Sequence, residues 1–196
     1  MTTALRRRQV AEILLKDRID LLVVAGLGST AWDITAAGDS PLSFPLWGAM
    51  GNAAMIGLGL ALAQPKRRVL VITGDGEMLM GLGSLATIGV RRPRNLSVVV
   101  IDNERYGETG MQATHTAAGV DLAKTALACG FKSGRLVRKP GQLAALRAAI
   151  HGAPGPQFAQ VKVLAEKLPP VLPPRDGGLL KSRFRKALLG EEADLA

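Results

Sequence analysis

The sequence predicts an α/β fold: three layers, with a doubly wound and mostly parallel sheet carrying helices on both faces. Three observations point there. Short apolar runs rich in Val, Ile and Leu stand at residues 21–25 (LLVVA), 69–73 (VLVIT) and 96–101 (LSVVVI), the pattern of strands buried on both faces. Segments of helical periodicity lie between them, as crossovers between parallel strands require. Each run stops at turn residues: Gly26-Leu27-Gly28-Ser29-Thr30, Gly74-Asp75-Gly76 and Asp102-Asn103.

Residues 3–18 read as an amphipathic helix with Leu5, Val10, Ile13 and Leu14 near one face. The first strand follows at 21–25. Residues 39–48 (DSPLSFPLWG) hold two prolines and read as irregular. Residues 51–64 (GNAAMIGLGLALAQ) are apolar nearly all round, which marks a buried helix, and Pro65 ends it. After the second strand comes a helix over 78–90, with Pro93 beyond its end, and then the third strand. A polar loop spans 104–119. Helix 121–129, a short strand within 131–137, helix 142–150 and a last strand over 157–164 complete the domain. From Leu168 the run LPPVLPPRDGG excludes regular structure, and the segment after it can form a short basic helix. The chain thus divides into a domain over 1–167 and a tail over 168–196. The tail either reaches over a partner or is a solvated end.

Composition narrows the function. The 196 residues suggest one domain, and 47% hydrophobic content excludes wholesale disorder. The single cysteine, Cys129, excludes a disulfide framework and paired-cysteine zinc sites. Two histidines, His115 and His151, argue against a histidine-rich metal site. The net charge of +9 is scattered over separate clusters near element ends, which argues against a nucleic-acid partner. The most apolar stretch, 49–63, is too short and Gly-rich to span a membrane, where about 20 residues are needed. The start lacks an apolar signal-peptide core, so the expected location is cytoplasmic.

Chemistry belongs at the carboxyl ends of the strands. Gly74-Asp75-Gly76 offers one carboxylate between two residues without side chains, where an anion can approach backbone N–H groups. The start of the next helix favours negative charge at the same place. Asn103 ends the adjacent strand and brings an amide oxygen. Asp75 and Asn103 together suit a hard cation such as Mg²⁺ bridging a diphosphate. Taken singly, each motif is also ordinary turn chemistry.

Gly74-Asp75-Gly76, then 25 residues, then Asp102-Asn103 resembles the signature of thiamine diphosphate enzymes, Gly-Asp-Gly followed by Asn-Asn. Trp47-Gly48-Ala49-Met50-Gly51, the small-residue helix after it, and Asn103-Glu104-Arg105-Tyr106-Gly107 are similar to that family's cofactor-binding domain over residues 20 to 165. The sequence departs from the pattern at Asp102, where Asn is usual, and at Glu77, where a small residue is commoner.

The resemblance implies residue roles. Asp75, the Asn103 side chain and the Arg105 carbonyl would bind Mg²⁺. Gly76 and Glu77 would offer backbone N–H groups to the diphosphate, which Gly28, Ser29 and Thr30 would meet from the first loop. Gly74, Tyr106 and Gly107 complete the cofactor motifs. Met50 would be the apolar wedge under the cofactor, and the Gly48 carbonyl would accept from its amino group. Met50 also reads as core filler.

The family's activating glutamate comes from a pyrimidine-binding domain, for which this chain has no room. The resemblance therefore implies a separate partner subunit carrying it, in a hetero-oligomer with two of each chain as one arrangement. The segment 107–115 (GETGMQATH) resembles the Thr-Gly-x-Gln-x-Thr stretch of sulfopyruvate and phosphonopyruvate decarboxylases. That likeness points to decarboxylation of a small 2-oxo acid. Carboligation, as in acetolactate synthases, and a non-catalytic binding module stay open. His115 reads either as a proton donor or anion contact facing the substrate, or as a surface histidine.

Overall fold

The computed structural model describes residues 4–194. The first half runs α1 (Arg7–Leu15), β1 (Leu22–Ala25), α2 (Ser29–Ala36), β2 (Ser43–Pro45), α3 (Ala53–Ala63), β3 (Val69–Gly74), α4 (Asp75–Met80), α5 (Ser84–Arg91) and β4 (Leu96–Asp102). The second half runs β5 (Arg105–Tyr106), β6 (Gln112–Ala113), α6 (Leu122–Ala128), β7 (Ser133–Val137), α7 (Leu143–Gly152), β8 (Gln157–Lys162) and α8 (Gly177–Leu189).

Six strands form one sheet in the order β2-β1-β3-β4-β8-β7, and every pair in it is parallel. Alternation along each strand divides the core. Leu22, Val24, Val69, Val71, Leu96 and Val98 face the helices of one layer. Val23, Ala25, Leu70, Ile72, Val99 and Ile101 pack with α1, α2 and α7 on the other. The chain leaves β1 toward β2 on one side, while β3 lies on the other, so a crevice opens at the carboxyl ends of β1 and β3.

Three segments differ from expectation. The stretch 39–48 contains β2, which pairs Pro45 with Ala25 at the edge of the sheet. An edge strand tolerates proline because one side of it needs no ladder donor. The helix expected over 78–90 is two helices. It breaks at Gly81-Leu82-Gly83, where a Cβ on Gly81 would stand 2.0 Å from the Gly51 carbonyl oxygen. The tail folds back onto its own chain. Phe184 of α8 packs on Phe44 of β2, Leu180 is buried, and Arg183 pairs with Asp39.

Candidate functional site

The register of β3 and β4 builds the site. Gly74 lies beside Ile101, so Asp75 and Asn103 emerge from neighbouring strand tips, about 5 Å apart in the sheet. They border a cleft of about 460 Å³. Gly74, Asp75, Gly76 and Glu77 line it from β3 and α4. Asn103, Arg105, Tyr106 and Gly107 line it from the loop after β4, Ser29 and Thr30 from α2, and Met50 from the loop before α3. Gly76 is where two of these walls meet, since a Cβ there would come within 2.6 Å of the Tyr106 ring.

Asp75 is buried and held from behind. Its Oδ2 accepts from the Thr114 hydroxyl at 2.6 Å, and the Thr116 hydroxyl oxygen, whose single proton is shared with Asp102, lies 3.2 Å away. Burial pushes its pKa up to about 6; the Thr114 hydrogen bond opposes that and the nearby Asp102 charge adds to it. Asn103 Oδ1 accepts from the Arg105 N–H at 2.9 Å, which closes a tight turn and leaves the oxygen a further lone pair. Glu104, between them, has a left-handed backbone (φ +61°).

Glu77, one of the two departures from the family pattern, brings a negative charge to the start of α4. Its carboxylate turns inward, beneath the β1 loop. Oε2 accepts from the Leu27 N–H at 3.1 Å and the Thr73 hydroxyl at 2.8 Å. Burial raises its pKa, against the opposing pull of the Thr73 hydroxyl and the N–H groups of Leu27, Ala53 and Gly51. The carboxylate occupies the place a side chain on Gly26 would need, with Oε2 only 1.9 Å from a Cβ built there. A side chain at 26 fits only if the Glu77 carboxylate moves.

Three expected site residues are not brought into the cleft. Gly28 has φ +74° at the entry to α2, beneath the Glu108 carboxylate. Gly48 is exposed beside Trp47, whose indole N–H donates to the Pro174 carbonyl and draws that loop toward the tail. His115 is exposed, because the short turn it occupies points its neighbours Thr114 and Thr116 inward instead. Sequence reasoning missed Arg7, Glu108 and Lys167, which also line the cleft. Arg7 is buried against Asp33 and donates to the Ser29 carbonyl, so it braces α2 from α1. No local motif announces such long-range placement.

The donors at the two strand tips are hard oxygens: the Asp75 carboxylate, the Asn103 amide oxygen and neighbouring carbonyls. Among the described residues no group of three or more His, Cys, Asp or Glu could hold a metal ion. One carboxylate and one amide oxygen suit a cation that keeps several ligands from water or phosphate.

Comparison with known proteins agrees with this geometry. The family model described as thiamine pyrophosphate enzyme, C-terminal TPP binding domain, matches residues 29–161. The chain belongs to that family. It is 38% identical over 175 residues to the sulfopyruvate decarboxylase subunit beta of Methanothermobacter thermautotrophicus, covering 89% of this chain and 91% of that one. It is 44% identical over 110 residues to the subunit of the same name from Methanocaldococcus jannaschii, covering 56% of this chain and 58% of the relative. It is 45% identical over 114 residues to phosphonopyruvate decarboxylase of Streptomyces viridochromogenes, covering 58% of this chain and 28% of that enzyme. In fold, the chain is similar to a structure from Mycobacterium smegmatis described as a thiamin diphosphate-dependent enzyme. The TM-score is 0.71 at 23% identity, with 84% of this chain and 33% of that chain covered.

Proposed function

We propose that this chain is the cofactor-binding subunit of a split thiamine diphosphate-dependent 2-oxo acid decarboxylase of the sulfopyruvate or phosphonopyruvate kind. The observation that carries the reading is the β3–β4 register, which sets Asp75 and Asn103 at adjacent strand tips on one cleft. The fit to Mg²⁺ and a diphosphate rests on three features of the chain. Asp75 is a carboxylate on the cleft wall, tied from behind through Oδ2 by Thr114 and Thr116. Asn103 has acceptor capacity to spare. Gly74 and Gly76 leave the wall without bulk.

In this reading Asp75, the Asn103 amide oxygen and the Arg105 carbonyl hold Mg²⁺. The N–H groups of Gly76 and Glu77, together with Ser29 and Thr30, bind and orient the diphosphate. Met50 supports the cofactor from below. When bound, thiamine diphosphate supplies the electron sink that lets a 2-oxo acid lose carbon dioxide. Glu77 keeps its carboxylate out of the diphosphate's space while its backbone stays in the wall.

A partner chain supplies the activating glutamate. Exposed apolar side chains support this: Met50 in the cleft wall, and Trp47, Met55 and Met80 elsewhere on the surface, the last 68% exposed. No helix among the described residues is long and apolar enough to cross a membrane, so this surface is not explained by a span.

The test is titration calorimetry of thiamine diphosphate into the chain, with and without Mg²⁺, alone and mixed with the product of the neighbouring reading frame. Carbon dioxide release from sulfopyruvate and phosphonopyruvate is then followed. Mg²⁺-dependent binding and carbon dioxide release by the mixture are expected. Absence of binding in both preparations overturns the reading, and a 2-acyl-2-hydroxy acid formed from two substrate molecules as the product replaces it with carboligation.

A further inference from the structure

We infer that Lys162 is a positioning residue for the cation site, clamping the strand tip that carries Asn103; this rests on the cofactor-site reading above. Lys162 is the last residue of β8, and the β4–β8 register sets it beside Asp102. Its ammonium reaches Asp102 Oδ2 at 2.7 Å and Glu104 Oε1 at 2.6 Å. One cation thus grips the residues immediately before and after Asn103.

Asp102 itself has no capacity left for a ligand. It is completely buried. Oδ2 accepts from Lys162 and from the Gln160 amide at 2.6 Å, and Oδ1 from the Thr116 hydroxyl at 2.8 Å and the Glu104 N–H at 3.0 Å. Two acceptor sites on each oxygen are filled. Its work is structural. Through Oδ1 and Thr116 it is linked to Asp75, the other cation-facing residue, and through the Glu104 N–H it holds the turn at Glu104. That turn has an uncommon backbone for a residue with a side chain, so contacts must hold it. They come from Asp102 at the N–H, from the Thr114 N–H at the carbonyl, and from Lys162 at the carboxylate.

The clamp also accounts for the departure at 102. In either orientation an amide there sets its NH₂ group against a donor, the Glu104 N–H on one side or the Lys162 ammonium and Gln160 amide on the other. A carboxylate accepts from both. With Asp102 present the cation becomes necessary, because a buried carboxylate without a partner is strongly unfavourable and here would stand beside Asp75.

The experiment measures Mg²⁺-dependent affinity for thiamine diphosphate by calorimetry, and thermal stability, on the full chain with its partner. Lys162→Met is expected to weaken affinity about tenfold or more, because it unpairs a buried charge. Adding Asp102→Asn removes that charge and is expected to recover most of the loss, to within about threefold of the wild type. Glu104→Gln, at a half-exposed position that folding tolerates, releases one side of the clamp and is expected to cost about threefold with melting unchanged. A role in stability alone predicts that affinity follows melting temperature across all the variants. If the wild type binds and Lys162→Met binds equally well, the inference is overturned; should Lys162→Met not fold, unaltered affinity of Glu104→Gln overturns it. A wild type that does not bind overturns the cofactor reading instead.

Discussion

The two ends of the sheet handle charge in opposite ways. At the amino end, Lys66, Arg67, Arg68 and Arg94 surround a recess that no acidic residue lines among the described residues. Two of these cations serve the backbone. Arg68 donates to the carbonyls of Gly152 and Ala153 at the end of α7, and Arg67 to that of Asp20. Cations at helix carboxyl ends are favourable, which explains why they gather there. At the carboxyl end the cleft is lined by four acidic and three basic side chains in a protein of net charge +9. Asp75 and Glu77 are both buried there with raised pKa values. A site that recruits its own cation must be built from acceptors, whatever the sign of the whole molecule. The basic balance of this chain therefore belongs mainly to helix ends and says little about the ligand.

Substitution at the acidic end tests that contrast hardest. Asp75→Asn keeps an acceptor for Thr114 but removes the charge that faces the cation. Calorimetry should show Mg²⁺-dependent cofactor affinity falling about a hundredfold or more. The ligand-free chain should melt no lower, since a costly buried charge has gone. Preserved affinity would sink the assignment of Asp75.

Acidification should act in the same direction more mildly. The folded pKa of Asp75, about 6, lies above its ordinary value of 3.8. Without ligand, its protonated form favours the fold. That contribution is fully present below about pH 4 and is lost as pH rises through about 6. Cation binding needs the ionised form, so affinity should weaken below pH 6 by up to about tenfold per unit, with a proton released on binding. Titrations at pH 5, 6 and 7.5 in buffers of different ionisation enthalpy measure both effects; a flat profile contradicts them.

Gly26→Ala tests the inward carboxylate of Glu77. The new methyl group displaces Glu77 from Leu27 and Thr73. A loss of about 2 kcal/mol, or roughly 4–8 °C in melting temperature, is expected. Pairing it with Glu77→Ala, which makes room, should recover part of that loss. The smallest effect belongs to the basic end. Lys66→Gln with Arg94→Gln should leave cofactor affinity within about twofold at physiological salt, because screening over the width of the sheet removes their influence. A larger change would show that the basic end acts on the cleft after all.

Much of the fold was legible because period and punctuation are local. Apolar runs with turn residues behind them located β1, β3, β4 and β8, and the order of runs and helices implied parallel pairing. Other elements were hidden. β2 contains a proline that an edge position tolerates, and the break between α4 and α5 reflects the approach of Gly81 to Gly51 from another part of the chain. In the cleft, eleven of the fourteen expected site residues line the wall, all of them within or beside the motifs after strands and before α3. His115 lies on the right loop and faces out, because the alternation of a short turn assigns the inward places to Thr114 and Thr116.

The sequence by itself determined where strands end and which acceptors stand at those ends, since both depend on neighbours a few residues away. Only the tertiary structure decided how the acceptors are held. It turned Glu77 under Gly26, braced α2 with Arg7, folded the tail onto β2, and set Lys162 against the two residues flanking Asn103. Those contacts join residues 22 to 140 positions apart, and their existence depends on strand register and packing that no short window of sequence encodes.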